Sequence, residues 1–211
     1  MKIVVFGASG GTGRELVRQG VALGHEVTAF VRNPQSLAGM PGIRLAAGDA
    51  RDAKAVGAAV RGQDAVLSAL GSRSLRDSTL LPEAMAGILA AIEGHGVRRL
   101  IVLGAAGAWP GAGSRVSGAG KLITGFLRLT LLRHAFEAQR AMQKLIRKSN
   151  TDWTIVQPPF LLNRPGRGVY RVDGDGLPPR GMRIARADVA AFMLEQLGSA
   201  EWVRKSPFLS W

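Results

Sequence analysis

Near the N-terminus, Gly7-Ala8-Ser9-Gly10-Gly11-Thr12-Gly13 places glycines at the first, fourth and seventh positions of one loop. That spacing suits phosphate binding. Gly7 lets the chain turn sharply, Gly10 lets backbone N–H groups approach an anion, and Gly13 lets a following helix pack closely on a sheet. The first-turn N–H groups of such a helix lack internal partners and lie at the positive end of its dipole, where the diphosphate of a dinucleotide fits. A second residue bears on which dinucleotide. The run His25–Val31 ends in Arg32-Asn33-Pro34, and in this construction the residue after the second strand faces the adenosine ribose. An acid there accepts from the 2′-hydroxyl of NAD, whereas an arginine favours the 2′-phosphate of NADP. The guanidinium of Arg32 can fork onto phosphate oxygens and stack on adenine; its other reading is a solvated charge at a strand end.

Other chemistry is thin. The chain has no cysteine, which excludes disulfides, thiolate metal sites and cysteine nucleophiles. His25, His95 and His134 are scattered, with no pair at metal-ligand spacing. Ser114, Ser117 and Lys121 form no triad or dyad. His134 and Glu137 are spaced to meet on a helix, either as a solvated pair or with His134 as an acid. The net charge is +13. It would draw anionic ligands, and it also suits nucleic acid. The basic residues are spread through the chain with no nucleic-acid-binding motif, so the charge reads as a solvated basic surface.

Those residues need elements to position them. The apolar run Ile3–Phe6 precedes the glycine loop, and a helical pattern follows it. Further strands are expected at Ile43–Ala47, Asp64–Leu70, Arg99–Leu103 and Trp153–Gln157. Helices are expected from a cap at Asp52 to Val60, over Thr79–Glu93, Lys121–Lys148 and Ala187–Leu197, the last capped by residues before Asp188. Alternating strands and helices imply an α/β, Rossmann-like doubly wound parallel sheet with helices on both faces. Residues 1–211 read as a single domain. A small Pro-, Gly- and Arg-rich substrate-side region spans about 160–184 with one short strand or hairpin, and Phe208-Leu209 is an edge strand. Leu122–Leu132 is apolar nearly all round, a core or dimer-interface helix or else a membrane-surface helix. No apolar run is long enough for a membrane span and no leader precedes the first strand, so a cytoplasmic monomer or dimer is expected.

The glycine loop, Phe30–Pro34, Gly48-Asp49, Ala69–Gly71 and Asp152–Pro158 together resemble the atypical short-chain dehydrogenase/reductases with NAD(P)H-binding, NmrA-like domains. Gly71-Ser72-Arg73 and the stretch from Asp173 through Ala187–Leu194 resemble, within them, the NADPH-dependent flavin reductase/biliverdin-IXβ reductase group. The resemblance implies NADP(H) as cofactor. It assigns Gly7, Ser9, Gly10, Gly11, Thr12 and Gly13 to the diphosphate and Arg32 to the 2′-phosphate. Asp49 and Ala50 would flank the adenine, and Leu70, Gly71 and Arg73 would line the path to the diphosphate. Ala105 and Ala106 would lie beside the nicotinamide, with Pro158, Pro159 and Phe160 closing its far side.

Two departures bear on catalysis. Many members of the superfamily use a tyrosine with a lysine four residues on; here the lone tyrosine is Tyr170, and Gly174 stands four residues later. Ala106 stands where the flavin/biliverdin group has a serine, and Phe160 where it has a histidine. No catalytic residue is assigned. Ala106, Trp109 and Phe160 are expected as a platform for a flat acceptor such as a flavin, quinone or tetrapyrrole-like ring; Trp109 alternatively packs on the long helix. The expected activity is NADPH-dependent hydride transfer to such an acceptor. The alternative is a non-catalytic dinucleotide sensor of NmrA type.

Overall fold

The computed structural model describes residues 1–71, 78–108, 133–179 and 181–211. In chain order the elements begin β1 (Lys2–Phe6), α1 (Gly11–Ala22), β2 (Glu26–Val31), β3 (Ile43–Ala47), α2 (Ala53–Val60) and β4 (Ala65–Ser68). They continue with α3 (Leu80–Gly94), β5 (Arg99–Leu103), α4 (Arg133–Lys148) and β6 (Asp152–Val156). The short strands β7 (Phe160–Leu162), β8 (Arg171–Asp173) and β9 (Arg183–Ala185) come next, then α5 (Arg186–Glu195) and β10 (Phe208–Ser210).

Strands β1 to β6 form one parallel sheet in the order β3-β2-β1-β4-β5-β6. This is the doubly wound arrangement expected. The apolar runs explain it: β1 and β4 sit in the middle, covered on both faces, and β4 is buried throughout. Alternation sorts β1 between two layers. Ile3 and Val5 face the layer containing Leu16, Val17 and Val189, while Val4 and Phe6 face that of Met85, Ile88 and Met142. Helix α1 packs against α5 on one face, and α3 packs against α2 and α4 on the other. Each fully buried Phe, Ile, Leu or Met side chain in these layers contributes about 1.5–3 kcal/mol.

Helix α2 starts as expected, with the Asp52 carboxylate accepting from Lys54 N at 2.9 Å and Ala55 N at 3.3 Å. Over the described part of the expected 121–148 helix, Ala138, Met142 and Ile146 make a buried stripe four residues apart. The apolar segment 122–132 lies outside the described residues.

Three expectations need correction. Residues 160–184 hold three short strands, not one strand or a hairpin, because their partners are distant. β7 pairs in parallel with β9, and β8 pairs antiparallel with β10. Phe208–Ser210 is thus not simply an edge of the main sheet, although the chain just before it runs beside β6, where Gln157 N donates to Pro207 O at 2.8 Å. Helix α5 begins at Arg186 after Ala185 with no side-chain cap. Asp188, in its first turn, instead accepts from the backbone of Arg167 and Gly168, both at 3.0 Å, and from Trp211 Nε1 at 2.7 Å. Among the described residues no helix is long and apolar enough to cross a membrane, and no cluster of acids and histidines could hold a metal.

Candidate functional site

The order of the sheet reverses at β1, whose neighbours are β2 and β4, and a crevice opens outside the carboxyl ends of these strands. A cavity of about 380 Å³ lies there. Its wall begins with Gly7, Ser9, Gly10, Gly11 and Thr12. Local geometry explains two glycines. Gly7 has φ +75°, and a Cβ there would stand 2.6 Å from Ala69 O; a Cβ on Gly13 would stand 2.1 Å from Gly7 O. The turn closes with Gly10 N donating to Gly7 O at 3.0 Å. Gly13 itself is buried within α1 and does not line the cavity.

The start of α1 is arranged for an anion. Its N-cap is Gly10, with no side-chain cap and no acid in the first turn, so the N–H groups of that turn are not neutralised by a carboxylate. Thr12 is 3% exposed, and its Oγ1 has no hydrogen-bond partner among the described residues. A buried hydroxyl without a partner costs stability unless a ligand or water satisfies it. Loop and hydroxyl together fit the diphosphate of a nucleotide.

Arg32 lines the cavity from the end of β2 and is exposed, with no hydrogen bond or ion pair among the described residues. Asp49 and Ala50 line it after β3, and Leu70 and Gly71 after β4. Hydrogen bonds from Arg51, through its side chain and its backbone N at 2.9 Å, hold the Asp49 carboxyl below its ordinary pKa; the Arg32 charge adds to this. Asp49 is therefore an ionised acceptor at neutral pH. Leu103 and Gly104 line it from the end of β5, beside a buried amide pair in which Gln157 Nε2 donates to Gln143 Oε1 at 2.8 Å. A Cβ on Gly104 would stand 2.6 Å from Gln157 Oε1.

The other expected residues sit differently. Ala105, Ala106, Pro158, Pro159 and Phe160 do not line the cavity. Ala106 is 1% exposed, clusters with Leu177 and Phe208, and donates its N–H to Pro158 O at 3.0 Å. Phe160 is 62% exposed and pairs through its N–H with Met182 O, beside Leu161, which does line the cavity. Arg73 and Trp109 lie outside the described residues. His134 Nδ1 and Glu137 Oε2 are 3.5 Å apart and well exposed, with Arg133 also beside Glu137, and none of the three lines the cavity. Tyr170 is away from the cavity too. Burial first, and its hydrogen bond to Glu195 second, push its phenol well above the ordinary value, so it is no acid at neutral pH.

Sequence reasoning missed Gln139 and Arg186, both of which line the cavity. Gln139 Oε1 is buried and has no hydrogen-bond partner among the described residues. Nothing in the sequence singles it out except its place next to the buried stripe of α4. Arg186 had a readable signal: it directly follows the strand Arg183–Ala185 and opens a helix, the same strand-end position that points to Arg32.

Comparison with known proteins agrees with this geometry. A family described as NAD(P)H-binding matches residues 7–200. An isoflavone reductase homolog from Zea mays is 35% identical over 94 residues, which is 40% of this chain and only 30% of that protein. A short-chain dehydrogenase/reductase from Veillonella parvula, solved in complex with NADP, superposes with a TM-score of 0.78 at 18% identity, covering 100% of this chain and 94% of that one. ChuY, an anaerobillin reductase from Escherichia coli O157:H7, gives 0.79 at 22% identity, covering 100% and 97%. At such identities the two structures share the fold. With a diphosphate-shaped loop at the switch point of the sheet and a family match over almost its whole length, the chain belongs to the NAD(P)H-binding family.

Proposed function

We propose that the protein is an NADPH-dependent reductase passing hydride to a flavin or another flat acceptor, such as a quinone or a tetrapyrrole-like ring. The observation that carries this reading is an uncapped, acid-free phosphate loop sharing one cleft with an exposed Arg32 that makes no hydrogen bond or ion pair among the described residues. The N–H groups of Gly10, Gly11 and Thr12, with the Thr12 hydroxyl, hold the diphosphate. Arg32 takes the 2′-phosphate, Asp49 and Ala50 flank the adenine, and Leu70 and Gly71 border the path between. Ala105, Pro158, Pro159 and Phe160 stand on the nicotinamide side. The acceptor enters over the exposed Phe160, in β7, and Met182, just before β9, in the region 160–184 within a single domain.

The bound nucleotide supplies the hydride. A flavin accepts it at N5 and takes one proton from solvent, leaving NADP⁺ and reduced flavin. The protein then has only to keep two planar rings in register. Among the described residues lining the cavity there is no histidine, tyrosine, lysine, glutamate or cysteine. That poverty suits an acceptor needing no protein acid. It also favours a second reading, a non-catalytic NmrA-type sensor. NADPH oxidation with FMN, riboflavin, a quinone and a linear tetrapyrrole offered in turn separates the two. Turnover with any acceptor supports the reductase; tight NADPH binding with no turnover supports the sensor.

A further inference from the structure

Arg186 is in an electrostatically unrewarding place. It is the first residue of α5, at the positive end of that helix, and its side chain lies over Gly11 at the positive end of α1. A Cβ on Gly11 would stand 2.6 Å from Arg186 Cδ and 2.8 Å from Nε, so only a glycine leaves the side chain this course. Among the described residues no carboxylate pairs with it. Helix α1 has no acid in its first turn, and Asp188, in the first turn of α5, is committed to Arg167 N, Gly168 N and Trp211. Arg186 Nε donates to Asn163 Oδ1 at 2.7 Å, and the terminal nitrogens make no hydrogen bond among the described residues. Two helix N-termini, an unneutralised guanidinium and the unpartnered hydroxyl of buried Thr12 therefore converge on one wall of the cavity.

We infer that Arg186 is an anion clamp, gripping the nucleotide diphosphate from beside Gly11 at the start of α1, with Asn163 as its positioning residue. This rests on the dinucleotide reading above and adds to it a second cation with a different target. Arg32 would select the 2′-phosphate, whereas Arg186 would grip the diphosphate common to NADPH and NADH. Asn163 follows β7, so the clamp also ties the acceptor-side strands to the cofactor.

The experiment compares dissociation constants of NADPH, NADH and adenosine 2′-monophosphate for wild type, Arg186→Ala and Arg32→Ala. Arg186→Ala should weaken both dinucleotides about tenfold, the effect of one charge-assisted contact, and leave adenosine 2′-monophosphate unchanged. Arg32→Ala should weaken NADPH and adenosine 2′-monophosphate and spare NADH. Gly11→Ala, which must displace the arginine, should weaken both dinucleotides and add nothing further in the Arg186→Ala background. Unchanged dinucleotide binding in Arg186→Ala would overturn the clamp alone. So would a loss confined to NADPH, or an equal loss of adenosine 2′-monophosphate. Wild-type protein that bound neither dinucleotide would overturn the clamp and the dinucleotide reading together.

Discussion

The indole N–H of Trp211 donates to Asp188 Oδ2 at 2.7 Å, two residues past Arg186 in the first turn of α5. The Arg167 guanidinium covers the same ring, its Cζ 3.9 Å from the ring centre. One buried carboxylate thus joins three segments: the 166–168 loop, α5 and the residue at 211.

Removing that carboxylate takes the acceptor from three donors, the backbone N–H groups of Arg167 and Gly168 and the indole of Trp211. Asp188→Ala should cost about 3 kcal/mol, near 10 °C in Tm for a chain of this size, and Asp188→Asn somewhat less, because an amide retains one acceptor. Differential scanning calorimetry reads both. A drop under 2 °C in the alanine variant would mean that the loop is held some other way.

Much of this fold is legible in sequence because its elements follow one rule each. Ile3–Phe6 and Ala65–Leu67 are apolar throughout since both faces of a central parallel strand are covered. Gly7 and Gly13 are legible because no other residue fits their backbone approaches. What is not legible depends on contacts between distant segments. The partner of Arg171–Asp173 comes from Phe208–Ser210, and no local pattern names it. Asp188 looks like part of a helix start, yet its oxygens serve a loop twenty residues earlier. Gln139 faces the cavity only because α4 is rotated by its buried stripe of Ala138, Met142 and Ile146.

The single tyrosine makes one environment directly readable. Burial and the hydrogen bond to Glu195, 2.9 Å away, raise the Tyr170 pKa above the ordinary phenol value of about 10. Because the folded value is the higher one, the neutral phenol favours the folded state. That contribution is complete below about pH 10 and is lost as pH rises toward the folded pKa. Tyrosinate absorbance should therefore appear later in native protein than in urea, and Glu195→Gln should bring it earlier. Coincident titration curves in native and unfolded protein would contradict the burial.

The glycine loop should be graded in its tolerance. A Cβ on Gly13 would meet the backbone oxygen of Gly7 at 2.1 Å, and neither atom belongs to a flexible side chain. Gly13→Ala must move α1 off the sheet, costing several kcal/mol and NADPH binding together. A Cβ on Gly10 finds the same oxygen at 3.3 Å, a contact that a small shift relieves. Gly10→Ala should keep most of its stability and lose affinity first. Thermal melts beside NADPH titrations rank the two, and the reverse order would discard the steric account.

Cofactor choice turns on Arg32. It is exposed, lines the cavity and makes no hydrogen bond or ion pair among the described residues, so its donors are open to a ligand, with Asp49 near enough to feel its charge. A guanidinium–phosphate contact is worth about 1.5–3 kcal/mol, and about 1.4 kcal/mol is a tenfold change in affinity. Arg32→Ala should thus lower NADPH affinity at least about tenfold and leave NADH nearly unchanged, narrowing the preference rather than abolishing binding. Because exposed charges are screened, the wild-type preference itself should shrink as salt is raised. Equal losses for the two nucleotides, or a preference indifferent to salt, would move the selecting contact away from β2.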